Sequence, residues 1–276
     1  MNEFVLLVKK DGYAQVATAG FVILSVWWIV LCLSGIQSSS AHLVFGAVYG
    51  TTMSAFGAIL GLQISRTWGG MRSYMGKAIL FLSLGLLAQF FGQFVFSYYN
   101  IVLGVEIPYP SLADIGYFGN IPLYIYGVMM VAKSSGVVVS MRKFGAQIQA
   151  VVIPVVMIAI TYVSFLQKYE FAGTPLLTIF LDFGYPVGQA LYVSIALLIW
   201  SLTYKILGGV MRSSIVMILI ALLAQFVADY NFLLQNIHET WVNGGYGDYL
   251  YLVAYYLMTL ALIHMSMRNV KGRLNS

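Results

Sequence analysis

Long apolar runs alternate with short polar connections along the whole chain. A run of about 20 residues crosses the hydrocarbon core of a bilayer as a helix. Eight such runs are predicted, over roughly 14–36, 42–64, 77–101, 114–133, 147–167, 178–204, 213–237 and 248–268. An Asp-x-x-Tyr signature stands near the start of three of them: Asp114-Ile-Gly-Tyr117, Asp182-Phe-Gly-Tyr185 and Asp248-Tyr-Leu-Tyr251. The aspartates are 68 and 66 residues apart. One more repeat back from Asp114 falls near His42-Leu-Val-Phe45, again an ionisable residue with an aromatic three positions on. A fixed period of this length marks a repeated supersecondary unit. The expected architecture is an all-α integral membrane protein with eight transmembrane helices. They are built from four parallel-repeated helical hairpins, over about 14–64, 77–133, 147–204 and 213–268, in a single membrane domain spanning 1–276.

The repeat reaches beyond the signature. Residues 86–100 align without gaps on 222–236, matching Gln89 to Gln225, Gln93 to Asp229 and Asn100 to Asn236. Both segments lie in helices running the same way, so the repeat is parallel, unlike the inverted repeats of many transporters. Within each helix the polar positions are four and then seven apart, which keeps them on one face. A polar stripe in a membrane helix is expected to face the bundle interior or a water-filled cavity.

Composition sets the class independently. Apolar residues make up 61% of the chain, charged residues 8%, and the mean hydropathy is +0.87, far from the roughly 25% charge of soluble domains. The charges also fix an orientation, because lysine and arginine are retained on the cytoplasmic side of short loops. Thirteen of the 14 basic residues fall in alternate connections or at the termini, all but Lys168. Both termini are therefore expected in the cytoplasm. The acids are distributed the other way: Glu106, Asp114, Glu170, Asp182, Asp229, Glu239 and Asp248 lie in the outer half, leaving Glu3 and Asp11 inside. The pI near 9.1 thus reflects topology rather than a nucleic-acid-binding patch. The location implied is a cell membrane crossed many times, the inner one in a Gram-negative source, with the lipid bilayer as first partner.

Several chemistries are absent from the sequence. No phosphate-binding glycine loop, Gly-x-Ser-x-Gly elbow or His-Glu-x-x-His is present, and His238-Glu239 lacks a second histidine. The single cysteine, Cys32, forms no intrachain disulfide. The first run follows Lys9 and Lys10 as a signal peptide would, but its length and the span after it mark a retained anchor. No loop exceeds about 15 residues and the chain stops soon after the last run, so no soluble catalytic domain is expected and the protein reads as a non-enzyme. No cofactor is expected either. His42, His238 and His264 are spread over both faces, and no span carries a lysine suited to a retinal Schiff base, so the purified protein should be colourless.

Asp229 is the sharpest single residue. It stands eight residues before Ile237, the outer end of the seventh span, so it lies roughly 12 Å deep at 1.5 Å per residue. A carboxyl group there must be protonated, hydrated, hydrogen-bonded by neighbours such as Gln225 or a tyrosine, or paired with a bound cation. It is either interhelical glue or part of a site. The Asp-x-x-Tyr residues also carry two readings. An aspartate in the first turn caps free amides, and a tyrosine three residues on suits the aromatic belt. Three copies round one axis would instead bring Asp114, Tyr117, Asp182, Tyr185, Asp248 and Tyr251 to one acidic outer mouth that attracts cations or amines. With Gln89, Gln93, Gln225 and Asp229, these form the candidate ligand-binding set; no metal site is expected. For Asp182 the match to the other copies favours a span starting at Asp182, with 175–181 interfacial. Pro122, Pro154 and Pro186 fall inside spans, where proline permits kinks.

At Pro110-Ser111-Leu112-Ala113-Asp114 and Tyr185-Pro186-Val187-Gly188, the chain resembles the membrane-embedded sensory regions that precede diguanylate cyclase and phosphodiesterase domains in bacteria. The resemblance covers roughly 77–268. It departs from that pattern at Gln189, where the family often has a second aspartate, and no output domain follows Ser276. It implies a receptor-like helical bundle. With the acidic outer mouth joined to the polar stripes, the first functional expectation is a sensor that binds a small ligand or cation in an outer-facing pocket and signals to a separate cytoplasmic partner. A transporter or channel for a cation or amine is the alternative from another class, supported by the duplication, Asp229 and glycine-rich spans such as that of Gly46, Gly50, Gly57 and Gly61. An accessory or scaffold subunit of a membrane complex is the third.

The charge distribution makes a direct prediction. Single cysteines at positions 106, 170 and 243 should react with an impermeant thiol reagent added to intact cells, and those at 70, 138 and 209 should not. One inverted position breaks the hairpin topology.

Overall fold

The computed structural model describes residues 2–34, 39–135, 144–167, 169–203 and 210–266. The basic residues Arg142, Lys143, Lys168, Lys205, Arg268, Lys271 and Arg273 lie outside the described residues, as do the labelling positions 138 and 209. A short helix α1 (Asn2–Lys10) leads into α2 (Gly12–Leu33), whose first turn is capped by Asp11 Oδ1 accepting from the amides of Tyr13 and Ala14 at 2.9 and 3.2 Å. There follow α3 (Ser39–Thr67), α4 (Tyr74–Ser97), α5 (Ala113–Ser134), α6 (Phe144–Thr161), α7 (Leu176–Thr203), α8 (Val210–Ile237) and α9 (Tyr246–His264). The eight helices α2 to α9 are each long and apolar enough to cross a membrane, and no strand occurs among the described residues.

These eight helices match the eight apolar runs within a few residues at most ends. The sixth differs. α7 starts at Leu176 and runs without a break through Asp182, so 176–181 is the first part of the helix rather than a separate interfacial segment. Exposed Leu176, Leu177 and Phe180 supply this extra turn and a half with an apolar surface. Pro122, Pro154 and Pro186 all stand inside their helices.

Two tiers of helices are visible in the packing. α3, α4, α5, α7, α8 and α9 form a ring, each packed against the next, with α9 returning to α3. α2 leans on α9 and α3 from outside, and α6 leans on α7. Burial follows this division: 44–61% of the most apolar stretch is buried in the ring helices, against 17% in α2 and 6% in α6. A helix that is apolar all round yet so little buried within its own chain exposes its side chains to lipid, where the hydrocarbon is as compatible as a protein core.

Close approach in the ring depends on glycine. A Cβ at Gly116 of α5 would fall on the backbone of Ala88 and Gly92 in α4, and one at Gly92 would meet the Tyr117 ring. Gly85 likewise makes room for the ring of Tyr124. With no hydrophobic drive to bring helices together inside lipid, such small-residue contacts supply the dispersion energy of association. At the turn between α3 and α4, Gly69 and Gly70 take φ values of 84° and 53°, a left-handed conformation that glycine adopts at little cost. Ser73 then caps α4, accepting from the Gly76 amide at 2.8 Å.

The glycine contacts can be tested within one helix. Gly116→Ala should destabilise the bundle by about 1–3 kcal/mol, because the atoms it meets are backbone and have no side chain to swing away. Gly119→Ala, with nothing within 4 Å of the new methyl, should be neutral or stabilising. Unfolding of the two variants in a mixed-micelle denaturant titration checks both.

Candidate functional site

A cavity of about 540 Å³ enters the ring from the end that carries the 98–112, 167–175 and 238–245 connections. Its rim includes Glu106, Tyr109, Tyr169 and Trp241, and its depth reaches Gln89, Gln189, Asp229 and Tyr255. Below lie the edge-to-face pair Tyr124 and Tyr192, with ring centroids 5.9 Å apart, and then fully buried apolar side chains such as Leu82, Leu86, Ile218 and Leu222. The size falls in the range of small-molecule sites.

Five of the six neighbouring pairs of ring helices are joined by a side-chain hydrogen bond around this cavity, and the sixth by a looser polar contact. Gln93 Nε2 of α4 donates to the Gly46 carbonyl of α3 at 3.1 Å, and the Tyr117 hydroxyl of α5 donates to Gln93 Oε1 at 3.1 Å. The Tyr185 hydroxyl of α7 donates to Asp114 Oδ1 of α5 at 2.7 Å, and Tyr192 of α7 donates to Asp229 Oδ2 of α8 at 3.0 Å. The Tyr251 hydroxyl of α9 makes a looser contact with Asp229. Tyr49 of α3 closes the circuit by donating to Asp248 Oδ1 of α9 at 2.5 Å. Tyr255 crosses the ring to donate to Gln89 Oε1 at 3.2 Å.

The carboxyl groups share one kind of environment. Asp229 Oδ1 accepts from Gln225 Nε2 at 3.0 Å, one helical turn earlier. Asp182 accepts from two tyrosines of the connecting loops, Tyr109 to Oδ1 and Tyr169 to Oδ2, both at 2.7 Å. Asp114 Oδ2 accepts from the Ser111 amide at 2.7 Å, and Asp248 Oδ2 accepts from the Gly244 amide. No lysine or arginine lines the cavity among the described residues. The donors are therefore phenols and amides, which hold a carboxyl group in place without cancelling its charge. At the rim, desolvation and the bond to Asp182 push the Tyr169 hydroxyl up to about 12, and burial followed by the same carboxylate raises Tyr109 well above the ordinary tyrosine range. Both remain neutral donors at physiological pH.

Nine of the ten candidate residues line this one cavity: Gln89, Gln93, Asp114, Tyr117, Asp182, Tyr185, Asp229, Asp248 and Tyr251. Gln225 does not; it stands behind Asp229 and orients it. None of the three aspartates accepts from the free first-turn amides of its own helix: Asp114 and Asp248 take an amide just ahead of the helix, and Asp182, on the second turn of α7, bonds only to phenols. Asp248 is also buried rather than exposed at a mouth, at 5% of its surface. Asp229 is not bonded to Gln93, which bonds instead to Gly46 and Tyr117.

Sequence reasoning missed the lining residues Tyr49, Tyr109, Tyr169, Tyr255, Asn120 and Gln189, and the supporting Tyr192. A signal for some of them exists. Tyr124 follows Tyr117 by seven residues and Tyr192 follows Tyr185 by seven, while Tyr49 follows Phe45 and Tyr255 follows Tyr251 by four, all spacings that keep a side chain on one helix face. The loop tyrosines 109 and 169 carry no such periodicity.

Compared with protein-family models, curated proteins and solved structures, the chain matches none.

Asp229 provides the test of this bonding. Asp229→Asn keeps an acceptor for Tyr192 and an amide that can pair with Gln225, so it should unfold within about 1 kcal/mol of wild type. Asp229→Leu strands both donors in the bundle and should cost about 1–3 kcal/mol. Thermal unfolding in detergent separates the two.

Proposed function

We propose that this protein is a membrane sensor or receptor-like module: it binds a small ligand or cation in an outer-facing pocket rich in acids and tyrosines, and signals to a separate cytoplasmic partner. The observation that carries the reading is the shape of the cavity. It is lined by carboxyl groups without basic counter-charges, and beneath it the tyrosine pair and a packed apolar layer fill the ring. A pocket that ends inside the bundle suits a receptor, whereas a conduction path has to continue to the opposite face. At the far end, the buried His264 Nδ1 lies 2.9 Å from Ser214 Oγ. The sensory-region resemblance at Pro110–Asp114 and Tyr185–Gly188 points to the same class.

We also infer the parallel repeat and the cytoplasmic placement of both termini. Contacts recur in corresponding places in support of the repeat. Tyr117 meets Gln93 as Tyr251 meets Asp229, and α7 bonds to Asp114 of α5 through Tyr185 as α3 bonds to Asp248 of α9 through Tyr49, one turn further along its helix. The amides of Ser111 and Gly244 serve the two aspartates alike, and α2 and α6, which open the first and third hairpins, both stand outside the ring.

Purified protein in lipid nanodiscs tests the reading against transport. A panel of inorganic cations, amines and neutral solutes should contain a compound that raises the melting temperature saturably, with the effect lost in Asp229→Asn. The same compound should show no flux above empty liposomes when the protein is reconstituted. Flux that depends on Asp229 would replace the receptor with a transporter.

A further inference from the structure

Two polar side chains of the cavity have chemistry left over. Asn120 of α5 and Gln189 of α7 line it, are only 2% and 5% exposed, and their carbonyl oxygens have no hydrogen-bond donor. They stand at one level, because a Cβ at Gly188 would meet Ile121 across the α5–α7 contact. A carbonyl acceptor left without a donor in a buried site costs free energy comparable to a lost hydrogen bond, roughly 1–3 kcal/mol. Either amide can also present its oxygen by turning about its last torsion. Their need is for N–H or O–H donors supplied from within the cavity.

The same α5–α7 wall carries acids nearer the mouth. Asp114 and Asp182 are joined to it there through Tyr185 and Tyr109. Gln189 lies seven residues along α7 from Asp182, and Asn120 six along α5 from Asp114, so the carbonyl pair is roughly 9–10 Å deeper. Asp229 belongs to the deep level too, since it is held by Tyr192, which is one turn below Gln189 on α7. Acceptors for cationic N–H groups therefore stand at two depths along one wall.

Resting on the pocket reading above, we infer that the ligand is a linear aliphatic amine with at least two ammonium groups, a diamine or polyamine. One ammonium sits at the mouth between Asp114 and Asp182, and the other donates to Asn120 and Gln189 beside Asp229. A primary ammonium has three N–H donors, enough for two carbonyls and a carboxylate, and the diamine's two positive charges, one at each end, supply what the acids lack. The walls favour an organic cation over a metal ion: Phe96, Phe165 and Phe232 offer apolar and π surface to a methylene chain and its ammonium ends. Among the described residues no group of three or more His, Cys, Asp or Glu side chains is placed to hold a metal ion.

The full-length protein in nanodiscs, titrated by thermal shift and calorimetry, tests the inference with 1,7-diaminoheptane, whose end nitrogens span the two depths, spermidine, butylamine, tetramethylammonium, sodium, potassium and calcium. 1,7-Diaminoheptane or spermidine should bind at least tenfold more tightly than butylamine, with the inorganic ions and tetramethylammonium weaker still. Asp182→Asn should weaken the diamine at least tenfold and leave butylamine little changed. Gln189→Met and Asn120→Leu should each weaken the diamine while leaving the melting temperature of the empty protein equal or higher, since each removes an acceptor that has no donor. A merely structural amide would lower that temperature instead. Equal binding of butylamine, tetramethylammonium or an inorganic ion overturns the diamine but leaves the cation pocket standing. No response to any of the seven overturns both.

Discussion

The bundle depends on a closed circuit of hydrogen bonds inside lipid. Water is scarce there, so a buried carboxyl, amide or phenol is stabilised by a partner on another helix or on its own backbone. Gln93, Asp114, Asp229 and Asp248 find one by accepting from tyrosines or donating to a carbonyl across five interfaces of the six-membered ring, with a looser contact of Tyr251 at the sixth. Apolar side chains give membrane helices no preference for one neighbour over another, because lipid tails serve equally well. Polar partners fixed in depth and direction do give that preference, and so define which helix follows which around the ring.

Tyrosine is well matched to this task. Its ring packs as an apolar body while the hydroxyl reaches a partner at the far end. Tyr49, Tyr192 and Tyr255 are fully buried yet each donates across the ring. A lysine or arginine in the same place would neutralise the acid and close the site electrostatically. Phenols secure the carboxyl groups without bringing a counter-charge, so the scaffold and the candidate site are built from the same bonds. The glycines complete the arrangement: Gly92 and Gly116 bring α4 and α5 close enough for Tyr117 to reach Gln93.

The chemistry concentrates on one side of the ring. When residues 86–100 are aligned on 222–236, Asp229 stands opposite Gln93, and the Asp182-x-x-Tyr185 signature stands opposite His42-x-x-Phe45. His42 packs against Gly244, whose amide holds Asp248, so a histidine stands at that corner of the ring. The α5–α7–α8 side has none lining the cavity among the described residues, and it also holds the two amides whose oxygens lack donors. That side of the ring is the chemically unfinished one.

The sequence by itself determined the membrane class, the number of spanning helices and most of their limits, because hydropathy over about 20 residues is a local property set by the bilayer's thickness. It also brought forward nine residues that share the cavity, since an acid or amide inside an apolar run has few places to go but inward. The tertiary structure decided what depends on residues far apart in the chain. That α7 begins at Leu176 and carries Asp182 on its second turn, that Gln225 serves Asp229 from behind, and that α2 and α6 stand outside the ring follow from packing between helices. So does the pairing of Tyr49 with Asp248, which are 199 residues apart. Periodicity tells which face of a helix is polar, but a hydrogen bond across a bundle depends on the azimuth and depth of two helices at once, and only the assembled ring fixes both.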